Sequence, residues 1–249
     1  MEKLIFMLEV KRHDGPARLG NYEKLKTPAI FKPNAEFKII KDEPMPYDVP
    51  KELAKWSVNQ TIENAKKSKE KGIGVIHGGK YLDLRMECAK ELDKLGITTF
   101  LIANPKDLMR QPRDLVDIIV NIRESINPNA ALYFSFVDIT FIPLLAYMGV
   151  DLFGDFACDF YAYLNTMQTS TAKYDITKYQ IYDLDFEELK EYNKNTMDFV
   201  IKEVQENIKN MTLRNLVEER CCTSPEAMSA LRILDKKYAD FLEKYMPLY

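Results

Sequence analysis

The sequence contains little of what most metal and redox sites are built from. Its 249 residues include only four cysteines and two histidines. No two cysteines form a CxxC pair, and the adjacent Cys221 and Cys222 have a spacing that rarely closes a disulfide. No cysteine–histidine cluster has the spacing of a zinc site. We therefore expect reduced thiols, no bound metal ion and no cofactor.

Long apolar runs and a strong excess of charge are also absent. No stretch approaches the roughly 20 apolar residues of a membrane-spanning helix, and the apolar start of the chain is too short for a signal peptide. The 35 basic and 38 acidic residues leave a formal net charge of −3, which is not typical of a nucleic-acid-binding protein. These features predict a cytoplasmic protein that contacts no membrane. Binding of a polyanion would then depend on a local patch or on a partner chain.

What remains predicts a single α/β domain in three parts. Hydrophobic residues make up 46% of the chain, enough for a sizeable core. Residues 1–50 contain short alternating stretches between turn residues, which indicates an antiparallel β segment. Between 51 and 180, apolar strands alternate with amphipathic helices, as in a parallel sheet covered by helices. Residues 181–249 have the pattern of helices alone.

Four strands are predicted in the middle part, adjacent and parallel, with right-handed crossovers between them. Their ranges are 73–77, 98–103, 131–136 and 150–154, and the apolar pattern of the last continues to 157. Shorter strand candidates precede them at 27–31 and 36–40. Predicted helices cover 51–70, 81–96, 112–126, 185–211, 213–220 and 225–244.

Two stretches contain the residues most able to carry chemistry. His77-Gly78-Gly79 follows a strand, and glycines there allow a ligand to approach the backbone. Asp151 and Asp155 flank the end of another strand, where parallel α/β folds place catalytic groups. An aspartate there could act as a nucleophile or a general base. Each feature also has a structural interpretation, as turn glycines beside a packed histidine and as hydrogen-bonded carboxylates.

Several stretches, taken in order, carry a resemblance to a known family. They are FMLEVKRHDGPARLGNYEKLKTPAIF, VIHGGKYLDLRMECAKEL, ANPKDLMRQPRDLVDIIVNIRESINPNAALYFSFV, MGVDLFGDF, LRNLVEER and LRILDKKYADFLEKYMP. In this order they resemble the tRNA-guanine transglycosylase family, and most closely its archaeosine-synthase branch. The resemblance implies a (β/α)8 TIM-barrel-like fold, here degenerate or shortened, with the N-terminal β segment and the C-terminal helices attached.

The resemblance also implies a site and a role in 7-deazaguanine modification of archaeal tRNA. In the family, an aspartate after the "LF" strand opens the glycosidic bond, and a second aspartate in a "DSGG"-like loop handles protons. By position, the base would be held at His77, Gly78 and Gly79, with Phe136 as a further base contact. Asp155 and Asp151 are the carboxylates nearest the nucleophile position.

The sequence departs from the family pattern at most of these points. Gly154 stands where the nucleophile is expected, and Asp155 comes one residue later. No "DSGG" loop is present, and His77 replaces the expected glutamine. The zinc-binding cysteines and histidine of the family have no counterpart near 165–195.

Three hypotheses follow. The leading one is a transglycosylase-like subunit or domain of the archaeosine pathway that lacks base-exchange activity of its own. Its partners would be tRNA and a protein that carries the remaining archaeosine synthase domains. The second is an active transglycosylase that uses Asp155 or Asp151. The third is a small-molecule protein that binds a deazapurine at the His77-Gly78-Gly79 loop.

Overall fold

The computed structural model describes residues 7–35, 37–68, 72–180 and 182–244. The strands are β1 (Leu8–Asp14), β2 (Ala17–Tyr22), β3 (Leu25–Thr27), β4 (Ala29–Ile30), β5 (Gly74–Ile76), β6 (Thr99–Ile102), β7 (Ala131–Phe134), β8 (Leu152–Phe153), β9 (Thr166–Gln168) and β10 (Lys173–Asp175). The helices are α1 (Lys51–Lys67), α2 (Leu82–Lys94), α3 (Pro105–Leu108), α4 (Pro112–Ser125), α5 (Ile142–Tyr147), α6 (Phe156–Tyr163), α7 (Ile176–Tyr179), α8 (Phe186–Asn210), α9 (Leu213–Cys221), α10 (Pro225–Lys237) and α11 (Ala239–Glu243), with a 3-10 turn at Ile139–Phe141.

The central feature is a five-stranded parallel sheet with the strand order β4-β8-β7-β6-β5. The prediction that the strands near 73–77, 98–103, 131–136 and 150–154 are adjacent and parallel is confirmed, because they correspond to β5, β6, β7 and β8. At the far edge, Ile39 forms a parallel bridge to Ile73 next to β5. The described residues therefore form a shortened version of the eight-stranded ring, without closure, which agrees with the predicted fold class.

The two faces of this sheet pack against different partners, because successive side chains of a strand point to opposite sides. One face joins Val75, Leu101 and Tyr133 to aromatic residues of the N-terminal part, such as Phe31 and Phe37. The other face packs under the helices in the largest hydrophobic cluster, which extends along the chain from Ala17 to Leu242. Both faces are buried, and so the strands are continuously apolar.

The N-terminal β segment is confirmed as an antiparallel sheet of β1, β2 and β3. The long helix α8 packs against β1 and β2. Gln205 on α8 donates hydrogen bonds to the carbonyl oxygens of Lys26 and Pro28, at 2.8 and 2.7 Å. Helix α8 begins with a capping box in which Asp185 accepts from the amide of Glu188 and the Glu188 carboxylate accepts in return from the amide of Asp185.

Two element boundaries differ from the sequence-based expectation. The strand predicted to reach 154 or 157 ends at Phe153, and Asp155 occupies the N-cap position of α6. A carboxylate is favourable at this position because its negative charge interacts with the positive N-terminal end of the helix dipole. The helix predicted over 225–244 is interrupted at Tyr238, where φ is −128° and ψ is 35°. The hydroxyl of Tyr238 is held on α4, where it bonds to Asp117 at 2.9 Å and Asn121 at 3.0 Å.

The stretch predicted as a strand over 36–40 contributes only the bridge at Ile39, and Glu36 lies outside the described residues. In the part of the chain that the structure describes, no helix combines the length and apolar character needed to cross a membrane.

Candidate functional site

The carboxyl ends of the parallel strands place three of the sequence-predicted candidates, His77, Phe136 and Asp155, at one edge of the sheet. Lys32 follows β4, Asp155 follows β8, Phe136 follows β7, Asn104 follows β6 and His77 follows β5. In barrel-like α/β folds this edge is where ligands bind. This edge is therefore the candidate functional site.

Asp155 lies in an ion-pair cluster at this edge. Its carboxylate is about 10% exposed, and Oδ2 lies 2.7 Å from Nζ of Lys32 and 3.7 Å from Nζ of Lys194. Lys194 also pairs with Asp159, at 2.9 Å. The sequence does not indicate that Lys32 and Lys194 pair with Asp155, although Lys32 directly follows a predicted strand. The Asp155 carboxylate is therefore already paired with two lysine side chains.

Gly154 is closed to side chains. A Cβ atom at this position would lie under 3.0 Å from the carbonyl oxygen of Ser135 and 2.8 Å from Oη of Tyr133. The amide of Gly154 donates to the carbonyl oxygen of Phe134 at 3.0 Å, which holds the backbone close to β7. The position where the resemblance places a nucleophile therefore has no room for one.

Tyr133 lies beneath Gly154 with its hydroxyl in the protein interior. The side chain is fully buried, and the hydroxyl has no hydrogen-bond partner among the described residues. Burial raises the pKa of Tyr133, and the negative charge of Asp155 raises it further. The phenol therefore stays protonated at neutral pH.

Asp151 is at the opposite end of β8 and serves the fold. Its side chain is 1% exposed, and Arg18 contacts both carboxylate oxygens, Nε to Oδ1 at 3.0 Å and Nη2 to Oδ2 at 2.5 Å. The amide of Leu132 donates to Oδ2 at 2.9 Å. The structure therefore does not bring Asp151 together with Asp155, His77 or Phe136.

The His77-Gly78-Gly79 loop is covered by residues 42–50, which we call the cover segment. His77 is buried, and its Nε2 lies 2.7 Å from Oδ2 of Asp42. Gly79 has a φ of +57°, and a Cβ there would lie 2.7 Å from the carbonyl oxygen of Tyr47. The backbone of the cover segment therefore lies directly against Gly79, one of the residues that the resemblance assigns to base binding.

Several side chains fasten the cover segment to the sheet edge. Asn104 donates to the carbonyl oxygen of Met45 at 2.9 Å, and Tyr81 donates to that of Val49 at 2.9 Å. The hydroxyl of Tyr47 donates to Asp114 on α4. Beneath the loop, Arg85 is fully buried and donates to the carbonyl oxygen of Gly79 at 2.7 Å. Burial lowers the pKa of Arg85 to about 10, which leaves it charged at neutral pH.

Phe136 belongs to an aromatic cluster with a lysine above it. Its ring lies edge-on to Phe160 at 5.5 Å between centroids, and Tyr161 packs beside both rings. Nζ of Lys106 lies 4.2 Å from the centroid of Phe160 and 5.8 Å from that of Phe136. The sequence does not indicate that α6 belongs to this edge, because its aromatic residues resemble those of a buried strand.

The thiols have no visible role at this edge. Cys88 and Cys158 are buried, and burial raises the pKa of each to about 12. Within the described ranges, no group of three His, Cys, Asp or Glu side chains is placed to hold a metal ion.

The parallel sheet with its site at the carboxyl edge defines an α/β, barrel-like protein, and comparison with known proteins identifies its family. A family model described as Queuine tRNA-ribosyltransferase matches residues 12–192. The chain belongs to the tRNA-guanine transglycosylase family, which confirms the resemblance seen in the sequence.

Individual relatives are longer than this chain. The tRNA-guanine(15) transglycosylase of Methanocaldococcus jannaschii is 30% identical over 244 residues, which cover 84% of the chain and 37% of the relative. The archaeosine synthase of the same organism is 35% identical over 182 residues, covering 73% and 30%. The tRNA-guanine(15) transglycosylase of Thermococcus onnurineus is 28% identical over 234 residues, covering 83% and 40%. The chain thus matches less than half the length of each.

Proposed function

We propose that this chain is a transglycosylase-like subunit or domain of the archaeal pathway that forms archaeosine in tRNA, and that it exchanges no base by itself. Its family and the names of its archaeal relatives support the pathway. The observation that carries the absence of base exchange is the closed position at Gly154.

Glycosidic-bond chemistry sets a geometric requirement that this edge of the sheet does not meet. A nucleophilic carboxylate must lie about 3–3.5 Å from the sugar carbon in the reactive alignment. Gly154 supplies no carboxylate, and Asp155 is engaged by Lys32 and Lys194. The sequence also lacks the "DSGG"-like loop of the family, and loss of a proton-transfer group typically costs about 10²–10⁴-fold in rate.

The proposal includes two partners, tRNA and a protein that carries the remaining archaeosine synthase domains. The similarity to an archaeosine synthase supports a place in the pathway to which both partners would belong. The net charge of −3 supports the need for a protein partner, because a slightly acidic protein gains little from the phosphate backbone at long range.

The proposal is tested by incubating the purified chain with an unmodified archaeal tRNA transcript and labelled guanine or cyano-deazaguanine. We expect no label in the tRNA, whereas the full-length transglycosylase of Methanocaldococcus jannaschii provides the positive control. In parallel, affinity purification from the native cells is expected to recover the partner protein together with tRNA.

Incorporation of label would overturn the absence of base exchange. If Asp155→Asn then abolished it while Asp159→Asn did not, Asp155 would be the nucleophile. Asp159 is the matched control because it shares Lys194 but is half exposed. Saturable binding of a free deazapurine by the chain, without tRNA or partner, would instead favour the small-molecule protein. The cover segment against Gly79 weighs against that outcome.

A further inference from the structure

A cavity lies beside the aromatic cluster of Phe136, Phe160 and Tyr161, near the carboxyl edge of the parallel sheet. It has a volume of about 290 Å³ and is bounded by α3, the turn at 138–141, Tyr161 on α6, the β9–β10 turn and the start of α10. Neither Asp155 nor the glycine loop lines it. The cavity is therefore separate from the candidate functional site.

Positive charge predominates in its lining. Lys106, Arg110 and Lys173 contribute three cations, against the carboxylates of Asp138 and Glu226. Lys173 neutralises Asp138 at 2.6 Å, and the hydroxyl of Tyr161 donates to the same carboxylate at 2.6 Å. Lys106 and Arg110 have no ion pair with any carboxylate in the described ranges. These two cations are therefore available to an anion.

Two neutral groups reinforce this preference. Thr140 lines the cavity and is 7% exposed, and its hydroxyl makes no hydrogen bond within the part of the chain that the structure describes. The 13-residue helix α10 begins at the cavity with Ser224 as N-cap and Pro225 in its first turn. Helix N-termini present backbone amides and positive partial charge to anions. Because Glu226 partly offsets that field, the hydroxyl of Thr140 and the cations without an ion pair are the stronger features.

We propose that this cavity binds a phosphate group, with Lys106 and Arg110 as its cationic donors and Thr140 as a neutral donor. A guanidinium can give a phosphate two parallel hydrogen bonds, and an ammonium adds a point charge. The phosphate could come from an RNA backbone or from a free mononucleotide. The adjoining ring of Phe160, which is 36% exposed, favours RNA, since unstacked bases pack on aromatic side chains. The RNA source rests on the proposed function.

The proposal is tested by titrating the full-length chain, isotope-labelled for NMR, with three probes. These are inorganic phosphate, guanosine 5′-monophosphate and a short single-stranded ribo-oligonucleotide. We expect saturable shifts at the amides of Arg110, Thr140, Ala172 and Ser224 with all three, and the tightest binding for the oligonucleotide. A Lys106→Ala/Arg110→Ala double variant should bind it at least about 10-fold more weakly.

The salt dependence separates a phosphate contact from a general loss of charge. Each phosphate contact with a single strand contributes about −0.7 to the slope of log K against log salt, so losing this one phosphate contact should reduce the slope of the double variant by roughly 0.7. A Lys24→Ala/Lys55→Ala variant, which removes two exposed lysines elsewhere, should keep the slope and the affinity.

The outcomes distinguish the sources. Tighter binding of the mononucleotide than of the oligonucleotide would assign the cavity to a free nucleotide and overturn the RNA source. Absence of shifts at the cavity amides with every probe, or equal binding by the double variant and the wild type, would overturn the phosphate site itself. These results do not depend on base exchange, so label incorporation into tRNA would contradict the proposed function while leaving the phosphate titration intact.

Discussion

At the scale of the residue, Gly154 is a position without room for a side chain. We expect Gly154→Ala to lower the free energy of unfolding by at least about 1–3 kcal/mol, because the added methyl group meets the backbone of Ser135. Gly74→Ala is the matched control. Its Cβ would meet only flexible side-chain atoms of Ile97 and Leu92 at 3.1–3.3 Å, and the loss should be smaller. Urea denaturation measures both, and equal losses would contradict the closed position.

The two candidate aspartates differ in their structural roles. Asp151→Asn leaves Arg18 charged and buried without its partner, and we expect a loss of about 3–5 kcal/mol in the free energy of unfolding. Asp155→Asn leaves Lys32, which is 61% exposed and can be solvated, so its cost should be below about 1 kcal/mol. Thermal and urea denaturation of both variants test this ranking. A larger loss for Asp155→Asn would show that the Lys32 and Lys194 pairs support the fold.

At the scale of the element, the cover segment packs against the glycine loop. Gly79→Ala would place a methyl group 2.7 Å from the carbonyl oxygen of Tyr47, at a φ of +57°. We expect the segment 42–50 to be displaced and its amides to exchange hydrogen faster. Gly96→Ala is the control, since its φ of +78° gives similar backbone strain but no atom lies within 4 Å of the new methyl group. Equal exchange over 42–50 in both variants would show that Tyr47 does not press on the loop.

The elements that could be predicted from sequence are those with strong local patterns. The continuous apolar runs of β5, β6 and β7 identify buried parallel strands, and α4 shows clear helical spacing. Helix α6 was missed because Phe156, Phe160 and Tyr163 are aromatic yet substantially exposed, which local patterning cannot reveal. The cover segment has no local signal of its position, because its prolines Pro44, Pro46 and Pro50 exclude regular structure. Its place over Gly79 depends on contacts distant in sequence.

The candidate site, like the fold, could be predicted from the sequence only in part. The strand ends at His77 and Asp155 follow from the order of the elements, and the substitution of glycine for the nucleophile can be read directly. The closure of that position depends on Ser135 of the next strand, and the capture of Asp155 depends on Lys194 of α8. Both are tertiary contacts without a local signal. The sequence thus predicted which residues could form the candidate site, whereas their contacts with the chain's own groups depend on the fold.

At the scale of the whole molecule, the largest hydrophobic cluster joins residues from the N-terminal β segment, the sheet's helices and the C-terminal helices. Helix α10 packs against α4, which in turn packs against α2. A perturbation at the C-terminal end is therefore communicated through shared core contacts to the helices over the sheet. We expect the described parts to unfold together rather than in sequence.

Leu234→Ala tests this cooperativity. Leu234 on α10 is fully buried, and its truncation should cost about 2–5 kcal/mol through lost burial and the cavity left behind. The single tryptophan, Trp56, lies on the outer face of α1, whose buried face belongs to the cluster, and its fluorescence reports on that helix, whereas far-UV circular dichroism reports on all helices. In a two-state protein the urea transitions of both probes coincide and shift by the same amount in the variant. An early dichroism transition with the Trp56 transition unmoved would instead show that the C-terminal helices unfold as a separate unit.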